Sequence, residues 1–167
     1  IARGDPQEEV FRRSLYLWDQ RKLRDRLLSV FYSFEKEKFE KRPGLTLGIV
    51  SLIVPIKQFP LLFSRLAPVL ARHGVNLEIF GAGGYAQVRD LRKELSCMKD
   101  KARFWGYQEN VAAVYPRIDY LLTGLPEKEA LGLNVLEAQR CGTPVLAPRA
   151  PPFTETVLDG ETGFLYR

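Results

Sequence analysis

From Gly44 onward, short apolar runs alternate with amphipathic stretches of helical period. Apolar-rich segments at residues 45–51, 75–80, 102–105, 119–122 and 144–147 have strand length. Between them, 59–73, the stretch from the turn Gly81-Ala82-Gly83-Gly84 to about Leu95, 109–115, 133–140 and 153–158 carry apolar residues at spacings of three and four, which predicts helices. Strands and helices that alternate at these lengths predict an α/β domain, a parallel sheet with helices on both faces. Such sheets bind ligands beyond the carboxyl ends of their strands. That places a site among the loops that begin at Leu52, Gly81, Gly106, Thr123 and Pro148.

Before Pro43-Gly44 the pattern differs. Phe11, Leu15, Trp18, Leu23, Leu27, Phe31 and Phe34 recur at helical spacing and predict one long amphipathic helix, with Asp5-Pro6 as its start and Pro43-Gly44 as its stop. Two regions follow: an N-terminal amphipathic helix and linker over 1–43, and a ligand-binding domain over 44–167. The aromatic-rich helix face calls for a partner surface, whether the domain itself, another protein or a membrane.

Composition narrows the class only slightly. A chain of 167 residues, 46% hydrophobic and 27% charged, can bury one domain core and is not composed like a disordered segment. No apolar run approaches the ~18–20 residues of a membrane span, and the charged start lacks the pattern of a secretory signal. Cys97 and Cys141 have neither metal nor redox spacing, which suits a cytoplasmic protein with reduced thiols. The net charge of +5 is spread among acidic residues, so a solvated mixed surface is expected and no nucleic-acid partner.

The chemistry concentrates in Glu129-Ala-Leu-Gly-Leu-Asn-Val-Leu-Glu137, continued by Ala-Gln-Arg-Cys-Gly-Thr-Pro144. If the helix begins near Leu133, the amides of Gly132 to Asn134 are unpaired donors suited to phosphate. Gly132 admits close approach of a ligand. Two carboxylates can each accept hydrogen bonds from neighbouring sugar hydroxyls.

In these residues the chain resembles the C-terminal domain of the family 4, or group 1, glycosyltransferases. Glu129, Gly132, Glu137, Ala138, Cys141, Gly142, Thr143, Pro144 and Val145 match that family's two-glutamate motif and the strand entry after it. The likeness extends from about Thr46 to Leu165. It takes in Lys57 of the first loop, Gly81-Ala-Gly-Gly84, the segment Phe104-Trp-Gly-Tyr107, Asp119, and Glu155 with the closing segment from Asp159 to Phe164.

The resemblance implies a Rossmann-like domain, one half of a GT-B fold, and a retaining transferase that moves a sugar from a nucleoside diphosphate sugar to a glycan or lipid-linked acceptor. It implies Glu137 on the ribose hydroxyls and Glu129 facing the transferred sugar as the catalytic carboxylate. Lys57 would meet the diphosphate, with backbone of Leu131, Gly132, Leu133 and Asn134 around sugar and phosphate. Gly81 and Gly83 would form the glycine turn, and Tyr107 would lie by the base. No cofactor and no metal are implied, because lysine, arginine and a helix dipole stabilise the leaving diphosphate. An acceptor domain before Ile1 and a terminal helix after Arg167 belong to the same expectation, under which 44–167 alone binds donor weakly and transfers nothing. A peripheral contact at the inner membrane face fits a lipid-linked acceptor.

This chain departs from the family where an arginine usually precedes the lysine. Leu52 stands there beside Ser51, and Arg149 and Arg167 are candidate substitutes. That departure favours the alternative of a non-catalytic nucleotide-sugar-binding, regulatory or interaction module. Single residues also have plainer readings. The glycine turn lacks the Gly-Lys-Ser/Thr of a P-loop, His73 before Gly74 suits a helix end, Cys141 suits the core, and Trp105 and Tyr107 suit a site wall that is partly core.

Overall fold

A computed structural model describes residues 38–125 and 132–167. The long N-terminal helix expected before Lys38 lies outside the described residues. Six strands form one sheet in the order β3-β2-β1-β4-β5-β6, every pair parallel. They are β1 Thr46–Val50, β2 Asn76–Phe80, β3 Ala102–Gly106, β4 Tyr120–Leu122, β5 Val145–Pro148 and β6 Gly163–Tyr166. The helices are α1 Phe59–Arg72, α2 Tyr85–Glu94, α3 Leu133–Arg140 and the short α4 Phe153–Thr156. This is the Rossmann-like arrangement.

Side chains alternate across each strand and so fill two separate cores. On one face Leu47, Ile49, Leu77, Ile79 and Phe104 pack with Phe59, Phe63, Ala67 and Leu70 of α1 and with Val88 and Leu91 of α2. On the other, Val50, Phe80, Trp105, Leu121, Val145 and Ala147 pack with Val135 and Ala138 of α3, with Phe153, and with Phe39. Helix α1 ends as its sequence suggests. His73 caps it, Gly74 takes a left-handed φ of 65°, and Val75 N–H donates to the Leu70 carbonyl.

Residues 39–42, on the helix side of the Pro43-Gly44 division, pack against the sheet. Phe39 sits edge-on to Phe80 and Trp105, with ring centroids 4.9 and 5.4 Å away. Arg42 donates to the carboxylate of Glu78 at 3.0 and 3.2 Å and to the Asp100 and Lys101 carbonyls. Glu78 is wholly buried in the middle of β2 and also accepts from Arg103 at 2.7 Å and from the Trp105 indole at 2.7 Å. Lys41 pairs with Asp119, whose other oxygen accepts the Thr46 N–H at 2.8 Å. Asp119 therefore pins the start of β4 to the start of β1.

Three details differ from the sequence pattern. The segment 109–115, expected as one helix, is two 3-10 turns, Val111–Ala113 and Tyr115–Arg117. The Asn110 side chain accepts the Ala113 N–H and caps the start of the first turn, and Pro116 has no N–H to continue a helix. Residues 96–101 form a further 3-10 stretch. A sixth strand, β6, pairs along β5 from Val145↔Gly163 to Pro148↔Tyr166.

The β5–β6 end is closed by Asp159, which accepts the Leu165 N–H at 3.0 Å and pairs with Arg149. The Leu165 amide first, then the Arg149 guanidinium, holds the Asp159 carboxyl below its ordinary value of 3.8. A depressed folded value stabilises the protein above the unfolded value, and the contribution is lost as pH falls through the folded one. Asp159→Asn should therefore lower the urea midpoint at neutral pH and flatten its decline below about pH 4; urea titrations across that range check it.

Candidate functional site

The carboxyl edge of the sheet is built from four chain exits. After β1, the Ser51 N–H donates to the Phe80 carbonyl at 3.0 Å and the Ile53 N–H to the Ala82 carbonyl at 2.8 Å, so the β1–β2 ladder continues into both loops as far as Ile53 and Gly83. At two positions of the second loop only glycine fits. Gly81 has φ 147°, and a Cβ there would lie 1.8 Å from the Ser51 carbonyl oxygen; one on Gly83 would lie 2.4 Å from that of Ile53. The Gly81 N–H also donates to the Gly106 carbonyl at 2.7 Å and locks the exit of β3. Beyond it Tyr107 is half exposed, while Trp105 is buried.

Lys57 ends the 3-10 turn Pro55–Lys57 that follows β1. Its carbonyl accepts the Leu125 N–H at 3.2 Å, and Gly124 packs so close that a Cβ would stand 2.6 Å from that oxygen. The β1 and β4 exits thus abut. The ammonium is half-buried, and burial lowers its pKa from the ordinary lysine value. An anion beside it would reverse that shift, since an opposite charge favours the protonated form.

Gly132 caps α3 in the left-handed region, φ 58° and ψ 50°, and a Cβ there would press to 3.3 Å of the Phe153 ring. The amides of the first turn have no carbonyl four residues back within the helix, which leaves a local positive potential. Leu133 is largely exposed. Asn134 donates to the Val50 carbonyl at 3.0 Å, tying the head of α3 to the end of β1. One turn further, exposed Glu137 accepts the Tyr115 phenol at 2.8 Å on Oε2.

Lys57, Gly81, Gly83, Tyr107, Gly132, Leu133 and Asn134 all lie in the loops and first turns at this edge, with Glu137 on α3 just behind. Glu129 and Leu131 lie outside the described residues. Arg149, a candidate for the missing cation, is turned to Asp159 and to the Leu165 carbonyl. Two participants were not singled out from sequence. Gly124 could have been suspected as the glycine after a strand, whereas nothing local marks Tyr115.

Among the described residues no helix is long and apolar enough to cross a membrane. A family model described as glycosyl transferases group 1 matches residues 44–167. The N-acetyl-alpha-D-glucosaminyl L-malate synthase of Bacillus anthracis is 28% identical over 142 residues, 81% of this chain and 37% of that protein. The D-inositol 3-phosphate glycosyltransferase of Rhodococcus erythropolis is 32% identical over 137 residues, 74% of this chain and 30% of that protein. The chain thus spans about a third of the length of these curated relatives. The fold is shared with Anabaena Alr3699/HepE, solved with UDP and glucose, at a TM-score of 0.63 and 24% identity over 73% of this chain and 34% of that one. It is shared too with the pneumococcal O-GlcNAc transferase GtfA, solved with UDP and GlcNAc, at a TM-score of 0.64 and 22% identity over 76% and 25%.

Proposed function

Because the chain belongs to the glycosyl transferases of group 1, we propose that it is the donor-binding half of a retaining GT-B transferase that takes a uridine diphosphate sugar. The observation that carries the reading is the head of α3. Left-handed Gly132 begins the helix, Asn134 anchors its first turn to the end of β1, and Glu137 stands one turn behind. That spacing suits a diphosphate at the helix N-terminus and ribose hydroxyls on the carboxylate. Half-buried Lys57, in the loop after β1, is assigned as the cation. Gly81 and Gly83 leave room for the diphosphate, Tyr107 borders the base, and Leu131 and Leu133 flank the sugar. Glu129 is assigned to the transferred sugar as the catalytic group. Charge on the leaving diphosphate is met by Lys57 and the α3 amides without a metal.

The acceptor is assigned to a second domain facing this edge. A glycan or lipid-linked hydroxyl compound is the class we propose, taken up in the cytoplasm or at the inner membrane face. Relatives are named for L-malate and D-inositol 3-phosphate, so a small hydroxylated anion is the competing class.

Calorimetry with UDP, GDP and ADP tests the donor half. Heat from UDP is expected, weakened about tenfold or more by Glu137→Ala, since a charge-assisted contact is lost. No heat from any of the three with folded protein would overturn the reading. A binding module without catalysis is favoured by one observation, Leu52 where the family's arginine usually stands, with Arg149 engaged elsewhere. Sugar transfer by a longer protein that contains this domain, abolished by Glu137→Ala, would exclude it.

A further inference from the structure

We infer that Tyr115 is a positioning residue for the donor site, holding the Glu137 carboxylate in the orientation that receives ribose. The inference rests on the reading that Glu137 meets the ribose hydroxyls. Glu137 is exposed on α3, and a free glutamate there would sample many rotamers. The structure gives it one fixed point: the Tyr115 phenol donates to Oε2 at 2.8 Å. Tyr115 is 1% exposed, so its ring cannot swing. Its own carbonyl accepts the Thr143 hydroxyl at 2.6 Å. Tyr115 thus touches the middle of α3 through its side chain and the turn after α3 through its backbone, bracing the C-terminal half of the helix that bears Glu137.

The chemistry of the pair is one-sided. A phenol that donates to a carboxylate leaves that carboxylate three further lone-pair sites, all acceptors, which match the donors of two adjacent hydroxyls. Burial first, then the Glu137 carboxylate, pushes the Tyr115 phenol well above the ordinary tyrosine value, which keeps it a donor at neutral pH. Other residues behind Glu137 offer less. Cys141 packs in the same cluster but is a weak donor, and the Gln139 amide is spent on Thr156 and Thr162.

The test is calorimetric binding of UDP and of 2′-deoxy-UDP to the 167-residue chain, to Tyr115→Phe, to Glu137→Ala and to the double variant, with folding followed by circular dichroism. Phenylalanine fills the same space and removes one oxygen. We expect Tyr115→Phe to weaken UDP about fivefold and to shrink the preference for UDP over 2′-deoxy-UDP, with no added effect in the Glu137→Ala background. Unchanged affinity and preference in Tyr115→Phe, while Glu137→Ala binds weakly, would overturn the inference and leave the ribose reading standing. Equal binding by Glu137→Ala and the parent would overturn the ribose reading, and the inference with it. Additive losses in the double variant would also overturn it, because Tyr115 would then act by packing. A check free of substitutions is the buried Tyr115 hydroxyl proton in the NMR spectrum. It should shift when UDP saturates the parent chain, and an unmoved resonance counts against the proposal.

Discussion

Glu78→Ala is expected to lower the free energy of unfolding by about 3–5 kcal/mol, the cost of breaking a buried ion pair from one side. The carboxylate is wholly inside, and three side chains converge on it: Arg42, Arg103 and the Trp105 indole. Alanine removes that acceptor from the indole N–H and from both guanidinium groups, which keep only the backbone carbonyls of Asp100 and Lys101 for Arg42 and of Glu40 for Arg103. The arginines keep part of their surface in water, with 24% and 20% of their side chains exposed, so some rehydration offsets the loss. Glu78→Gln keeps the volume and one acceptor oxygen and should fall between alanine and the parent. Urea unfolding of the three proteins checks the order. The loss should also appear as release of residues 39–42, since Arg42 ties that segment to β2. Proteolysis near Lys41 should become faster in Glu78→Ala.

Gly81→Ala should damage both stability and nucleotide binding. A Cβ at this position would stand 1.8 Å from the Ser51 carbonyl oxygen, which is backbone and cannot rotate away. The φ of 147° adds conformational strain that only glycine escapes. Together these should cost about 2–4 kcal/mol, combining a strained backbone with overpacking. Relief requires the Ser51 and Gly81 loops to part, and with them the turn that carries Lys57. UDP affinity should then fall by more than about tenfold, on the scale of one lost charged contact. Gly74→Ala is the control. It also has a left-handed φ, 65°, but a Cβ there meets nothing within 4 Å and lies at the other end of α1. It should cost about 1–2 kcal/mol and leave UDP affinity unchanged. Thermal unfolding and calorimetry on both variants separate strain from collision.

What could be read from the chain was what is local. Strand β1, helix α1 and the head of α3 follow from apolar runs and from glycines within a few residues of the elements they bound. The two-glutamate motif is legible because its glycine, its helix start and Glu137 fall within one short stretch. What could not be read depends on distant partners. Glu78 looks like a surface residue in Asn76-Leu-Glu-Ile-Phe80 until Arg42 and Arg103, 36 and 25 positions away, come beside it. Tyr115 reads as the end of a helix, and its contact with Glu137 crosses 22 positions. Strand β6 is four residues with a leading glycine, too short to show alternation, and exists because β5 offers an edge. Arg149 looked available for phosphate because nothing in its neighbourhood shows Asp159 folding back on it.

The joining of β1 to β4 has a kinetic consequence. Thr46 and Asp119 meet across 73 positions, whereas β1 and β2 are neighbours through a single helix. Loop closure of that length costs entropy before any contact repays it, and chains rich in such pairings fold slowly. The β1-β2-β3 half and the β4-β5-β6 half can each assemble from nearby segments, whereas joining the two must wait for the long closure. The tie from Asn134 to the Val50 carbonyl, across 84 positions, is therefore expected to form only at that joining, which sets the head of α3 against β1 at the end of the folding reaction.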